Sequence, residues 1–526
     1  MSSILFTDAN FRTLDPLCPS AEALLAQQGR VVATGSVAEL RERAPQGTAE
    51  VALGGGTAVP GFTDAHIHTA SLARALHSVA LHSVVRLEEA LARLEEHLAG
   101  TADRGWVFGG WWDCNRWAVP VQPDRHSLDS VCSDRPVALT SADGHTVWCN
   151  TLGLRRLGID ATTPDPAGGE YVRDASGEPT GILRESAVFP VRALEAQEGA
   201  ASLPAQIASV QKLLLANGVT SVHDIDGPDA LEAYRALRAE GRLAVRLNKL
   251  IRIEDLDTAI AEGARTGEGD EWIRTGAVKI FSDGAAGSHT CHMSEHFPGD
   301  EGDFGIEVTP YRELVRLTGR AVAAGLAVAV HAIGDRANQL VLEALSELRD
   351  VTARHGLRHR IEHAQFLRPS DVPRFAELGV IASMQPQHCP SDYQLRSLLE
   401  GRGLAAYAWR SLLDAGAVLA FGSDAPVEEP RPLLGLHAAV TRSTPAGVPS
   451  GGWDRHERIT AEEALLAYTV GAAWASGEEK TKGRLGPGML ADFAVIDVDP
   501  LACAPDALAT AGVTRTVVDG VVRHSA

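Results

Sequence analysis

Short apolar stretches that stop at a polar cluster recur along the chain. They are TAVPGFTDAHIH (57–68), VTSVHDID (219–226), LAVRLNKLI (243–251), GAVKIFSDG (276–284), LAVAVHAIG (326–334), RIEHAQF (360–366), VIASMQP (380–386) and VLAFGSDAP (418–426). Their apolar residues run on rather than alternate, which fits strands buried on both faces and therefore a parallel sheet. Segments of helical periodicity lie between the later runs, at 311–325, 336–356 and 371–379. Eight strands alternating with helices predict an α/β architecture, a (β/α)8 TIM-like barrel.

The first run ends at residue 68 and the second begins at 219, a gap far longer than one helix and its loops need. The spacing predicts an insertion after barrel strand 1, roughly 100–195. Trp106, Trp111, Trp112, Trp117 and Trp148 all lie in it. Such a cluster reads either as a core of its own or as a wall over the catalytic face of the barrel. The two chain ends resemble each other and differ from the middle. Residues 1–56 and 484–526 both read as short alternating strands broken by Gly, Pro and Asp turns. They predict one small composite β-sandwich, 1–56 plus 484–526, beside a barrel of 57–483.

Composition narrows the class. Hydrophobic residues at 45% and charged residues at 22% are an ordinary globular mix. The net charge of -20 argues against a nucleic-acid partner, since it repels a phosphate backbone. The first residues carry no basic stretch before an apolar run, and no apolar run approaches the ~20 residues that span a bilayer. The expected location is the cytoplasm, with no membrane association. Seven scattered cysteines without a CxxC pair point to free thiols, not to a disulfide framework or a cysteine zinc site.

The chemistry sits where the apolar runs end. The first ends in Asp64-Ala-His66-Ile-His68, the fourth contains Lys279, the fifth ends in His331, the sixth in His363 and the eighth in Asp424. In a barrel these positions converge on the C-terminal face. With 19 histidines in the chain, one near a strand end is expected by chance; four with an aspartate are not. His66 and His68 are two apart, so a strand aims both imidazoles the same way. Imidazole is a ready zinc ligand, and an open catalytic zinc site takes about three protein ligands. The candidates outnumber that, which suggests a two-metal site sharing one hydroxide. A buried lysine beside cations loses its proton. Lys279 either reacts in that neutral form with carbon dioxide to give an anionic, bridging carbamate or stays charged and pairs with a carboxylate such as Asp283. Asp424, in FGSDAP, is either a helix N-cap or a carboxylate that accepts a proton from water and returns it to a leaving nitrogen. The company of four histidines favours the second role.

PGFTDAHIH, VKIFSDGAAGS, VHAIGDRAN, RIEHAQF and FGSDAPV, in that order, resemble the amidohydrolase superfamily. More closely the chain is similar to amidohydrolase family 3, the group with the N-substituted formamide deformylases. GWVFGGWWDCNRW, PVALTSADGHTVWCN, GGEYVRDASGEPTGILRE, ITAEEALLAYTVGAA and GRLGPGMLADFAVIDVDP extend the likeness almost end to end. The resemblance implies a barrel with a β-sandwich made from both chain ends. It implies that His66 and His68 bind one ion and His331 and His363 a second. A carboxylated Lys279 would bridge them, and Asp424 would be both ligand and catalytic base. It further implies zinc, two ions per chain, and a homodimer. One departure stands out: where family members often read GSR, this chain has Gly287-Ser288-His289. His289 is therefore a candidate substrate contact, and so are His145 and Trp112, with Asn150 and Glu185 as weaker pocket candidates.

The expected function is hydrolysis of a non-peptide C–N bond in a small-molecule amide, an N-formyl or N-acyl amine, with metal-activated hydroxide and Asp424 as base. The same centre would serve cyclic amides, carbamates, esters or a deamination. A non-catalytic metal- or ligand-binding barrel is the remote alternative.

Overall fold

A computed structural model describes residues 3–81, 84–100, 105–114, 117–119, 121–141, 146–166, 169–287, 290–299 and 301–526, without the side chains of residues 185, 186, 196, 200 and 201. All eight predicted runs contribute to one sheet. Its strands in chain order are Phe62–Ile67, Val219–Asp224, Arg246–Arg252, Ile273–Phe281, Val328–Ala332, Arg360–His363, Ile381–Met384 and Leu419–Phe421. Each pairs in parallel with the next. Backbone bonds just beyond the eighth strand close the circle. Asp424 N donates to His66 O at 2.7 Å, and His68 N donates to Ala425 O at 3.0 Å. The Asp64 carboxylate stitches the same seam, accepting from Ser423 N at 3.0 Å and Ser423 Oγ at 2.6 Å.

The helices between the strands follow the periodicity. Tyr311–Ala323 buries Leu314, Thr318, Ala321 and Val322, one stripe at helical spacing. The predicted 336–356 helix is two, Asp335–Glu347 and Arg349–His355, which meet at the irregular Leu348. Val372–Leu378 ends on Gly379 at φ 64°, the left-handed cap glycine favours.

The run 57–68 is also two strands. Thr57–Pro60 joins the terminal sheet and Phe62–Ile67 enters the barrel. Gly61 makes the corner, where a Cβ would lie 2.2 Å from Thr220 Oγ1. The terminal sheet orders Val521–Ser525, Val513–Val518, Phe493–Ile496, Thr57–Pro60, Asn10–Arg12 and Ser20–Ala21 side by side, so both chain ends share it. A four-stranded sheet of Arg30–Gly35, Ala23–Gln27, Ser3–Thr7 and Ala49–Ala52 accompanies it. Phe6, Phe11, Leu24, Phe493, Val495 and Val517 belong to one core, in which Phe493 meets Phe6 edge-on at 5.1 Å. Arg246, opening the third barrel strand, donates to both oxygens of Asp492 at 2.6 and 3.0 Å. Removing either buried partner would strand the other charge, at a cost of about 3–5 kcal/mol.

Residues 70–207 form a compact unit of their own, wider than the expected 100–195. Its six-stranded mixed sheet runs Gly169–Arg173, Pro179–Glu185, Thr146–Cys149, Val137–Ser141, Val107–Trp112 and Val79–Ala80. Trp112, Trp117 and Trp148 lie in its core, Trp112 sitting 6.4 Å from Trp117 and 5.9 Å from Trp148. Among the described residues no helix is long and apolar enough to cross a membrane. The seven cysteines are free, and Cys132, Cys149, Cys291 and Cys389 are buried.

Candidate metal centre

His66 and His68 leave the first strand in the same direction, as their spacing requires. Their Nε2 atoms both lie 3.4 Å from Asp424 Oδ1. Their Nδ1 atoms each meet a carboxylate: Glu362 Oε2 at 2.6 Å from His66 and Asp226 Oδ1 at 3.0 Å from His68. A carboxylate on one ring nitrogen fixes the tautomer and turns the other nitrogen's lone pair inward. Behind them the chain continues. Arg360 Nε donates to Glu362 Oε1 at 2.8 Å, and Arg360 also meets His223 Nδ1 at 2.8 Å.

His363 follows Glu362 directly, and neighbours in an extended strand point to opposite faces. Yet both approach His66, whose ring centroid is 5.0 Å from that of His363. The backbone explains this: His363 has φ 72° and Ala364 φ 42°, so the strand breaks in the left-handed region at the ligand. Asp424 is held likewise at φ 58°. Such conformations cost about 1–3 kcal/mol each and gather at functional sites.

The donor set fits a metal ion. One ligand atom from each of His66, His363 and Asp424 lies within 4.8 Å of the others, and all three residues are buried. His363 Nδ1 is buried without a hydrogen-bond partner among the described residues. The grouping draws on both of the pairs that the family resemblance kept apart. His331 stands beside it, 4.5 Å from the His363 ring centroid, with Nε2 3.1 Å from Gly284 O and 3.5 Å from Asp283 Oδ1. Lys279 is 1% exposed; its Nζ lies over the Phe281 ring at 4.7 Å and makes no ion pair among the described residues. Asp283 accepts instead from the backbone N–H groups of His292, Ile333 and Gly334.

The electrostatics set by the side chains suit this reading. Burial lowers the Lys279 ammonium to about 8, with Arg360 adding to the effect and Glu362 and Asp424 opposing it. Burial, then the Lys279 charge, lowers His331 to about 3. Burial and the neighbouring His331 and His66 hold His363 well below its ordinary value. These rings are therefore neutral, the form that binds a metal. Burial alone would raise Asp424, but His66 and hydrogen bonds from His388, His66 and His68 outweigh it and hold the carboxyl well below its usual range. Burial opposes protonation of His68, but Asp226 and Asp424 outweigh it and raise the imidazole to about 9. A cation bound there would take the proton's place.

The remaining candidates are placed differently. Trp112 is a core side chain of the 70–207 unit, 2% exposed, with its indole N–H donated to Leu139 O at 2.9 Å. This corrects the expectation of a substrate contact, since its one polar group and its ring face are taken up by packing. Asn150 is likewise structural. It caps the helix Thr151–Leu157 by accepting from Gly153 N at 2.7 Å, and it donates to Cys132 O and Arg135 O at 2.7 and 2.8 Å. His145, His289 and the side chain of Glu185 lie outside the described residues. Sequence reasoning missed Glu362, Asp226 and His388. The first two sit in the quoted runs, and their signal was a carboxylate inside or just after an apolar strand. His388 lies four residues beyond the seventh strand, with Nε2 3.4 Å from Asp424 Oδ2.

Known proteins resemble the chain over most of its length. The model of the Amidohydrolase family matches residues 49–524. The chain is 31% identical to the N-substituted formamide deformylase of Arthrobacter pascens over 540 residues, covering all of this chain and 98% of that protein. It is also 31% identical to the putative amidohydrolase YtcJ of Bacillus subtilis, covering 95% of each. Among solved structures, an uncharacterized metal-dependent hydrolase from Pyrococcus horikoshii matches at 28% identity and a TM-score of 0.77, over 96% of this chain and 99% of that one. With the fold, the converging histidines and these matches together, the chain belongs to the amidohydrolase family, hydrolases of carbon–nitrogen bonds other than peptide bonds.

Proposed function

We propose that the chain is a metal-dependent amidohydrolase that cleaves the C–N bond of a small non-peptide amide, an N-formyl or N-acyl amine. The observation that carries this is the convergence of His66, His363 and Asp424 on one point at the barrel's C-terminal face. The N-formyl choice leans on the Arthrobacter relative, which is a formamide deformylase. His66, His68, His363 and Asp424 would hold zinc, with His331 and Lys279 supplying a second position. A bound ion polarises the amide carbonyl and acidifies a water.

The chain's own residues do the rest. Glu362 and Asp226 hold the first-strand imidazoles with Nε2 inward. Asp424 is ionised and accepts the proton of the attacking water, then passes it to the leaving nitrogen. Lys279, its pKa lowered to about 8, offers a neutral amine to carbon dioxide. Addition forms an N–C bond, releases one proton and leaves an anionic oxygen ligand.

The test is a panel of N-formyl amines, N-acyl amines, cyclic amides, carbamates, esters and aminated heterocycles, given to zinc-loaded protein. Formate or carboxylate release from the acyclic amides at the highest kcat/KM is expected. Preferential ammonia release from heterocycles would replace this reading with a deaminase.

A further inference from the structure

Three imidazoles surround Asp424 in one repeated arrangement. His66, His68 and His388 each present Nε2 at 3.4 Å from a carboxylate oxygen of Asp424. Each also turns Nδ1 toward a further carboxylate: Glu362 at 2.6 Å, Asp226 at 3.0 Å and Glu428 at 3.7 Å. The first two rings face Oδ1, and one of them, His66, belongs to the candidate ligand group. Among the described residues, His388 is the ring that faces Oδ2. The close ligand group of His66, His363 and Asp424 does not include it.

We propose that His388, backed by Glu428, is the positioning residue for Asp424, holding Oδ2 away from the metal ligands and ready for proton transfer. The inference rests on the amide-hydrolase reading above. A carboxylate turns readily about its last bond, and a partial turn would carry both oxygens off their positions. Two rings on one side and one on the other oppose that turn. His388 is itself held. Ser391 Oγ donates to Glu428 Oε1 at 2.7 Å, and the His388 ring lies 19° from parallel with His363 at 6.2 Å. The segment sits just past the seventh strand and is anchored by His388 N to Gln385 O at 3.1 Å. Asp424, by contrast, rests on a left-handed backbone that does not by itself set the plane of its carboxylate.

The experiment uses the full chain with His388→Leu, His388→Gln and Glu428→Gln, each alone and combined with Asp424→Asn. Metal per chain, kcat and KM on the amide the wild type cleaves, and the visible spectrum of cobalt(II)-loaded protein are measured. Metal content stays at the wild-type value. His388→Leu lowers kcat about 10–100-fold, the usual cost of losing such an outer partner, with KM little changed. His388→Gln, whose amide N–H can still reach Oδ2, keeps more activity, and neither change lowers kcat further in the Asp424→Asn background. Additive losses in that background, or a change confined to KM, would overturn the proposal. Loss of metal in both His388 variants would make His388 a ligand instead. The cobalt spectrum reads the proposal without any substrate: His388→Leu shifts it toward that of Asp424→Asn, and an unshifted spectrum rejects the role. Should the wild type cleave no amide, the functional reading fails while the spectrum still decides on His388.

Discussion

The two halves of the candidate centre are held in different ways. Around His66, His68 and Asp424, every first-strand ring nitrogen has a carboxylate neighbour, and the carboxylates have partners in turn. Around Lys279 and His331, the partners are a carbonyl, a distant Asp283 oxygen and an aromatic face. The first half is fixed by contacts between imidazoles and carboxylates, and the second by burial that suppresses charge. A half held by hydrogen bonds is pre-formed for its cation. On the proposed reading, a half held by desolvation gains the anionic charge a second cation needs only once Lys279 is carboxylated.

The largest expected effect breaks the pre-formed half at its centre. Asp424→Asn keeps the shape, lowers kcat by about 10²–10⁴-fold, and leaves metal bound. Near-normal turnover in that variant would remove Asp424 from proton transfer. Lys279→Met addresses the other half. It keeps a long buried side chain, abolishes the amine and takes away one metal equivalent per chain; unchanged stoichiometry would show that Lys279 holds no ion. Glu362→Gln weakens metal affinity or activity by about 10–100-fold through His66, as measured by competition with a chelator. An unchanged affinity would mean that the buried Arg360–Glu362–His66 chain serves folding alone. Smallest for catalysis is Trp112→Phe. It lowers stability by about 1–2 kcal/mol through the lost bond to Leu139 O and the lost volume, while kcat/KM stays within about 2-fold. A large KM change would return Trp112 to the substrate pocket.

How much of this the sequence showed follows from where each signal lies. The barrel strands were legible because buried parallel strands are continuous apolar runs. The candidate ligands stood out because His and Asp at the ends of such runs are costly unless used. Glu362 was not, since strand alternation sets it opposite His363, and only the left-handed backbone at His363 brings both to His66. The corner at Gly61 was hidden inside an unbroken run, because nothing in 57–68 reveals the Thr220 contact that demands a glycine. The insert's limits were set too narrow. The chain enters the 70–207 unit through the helix Thr69–Leu76 and leaves it within Phe189–Ala216, and a helix carries no mark of a unit boundary.

The most direct test is metal per chain, by elemental mass spectrometry, on protein purified without chelator from zinc-supplemented growth. The account predicts about two equivalents of divalent metal, with activity lost on chelation and restored by zinc. Protein that holds no metal under those conditions, yet still hydrolyses its amide, would contradict it.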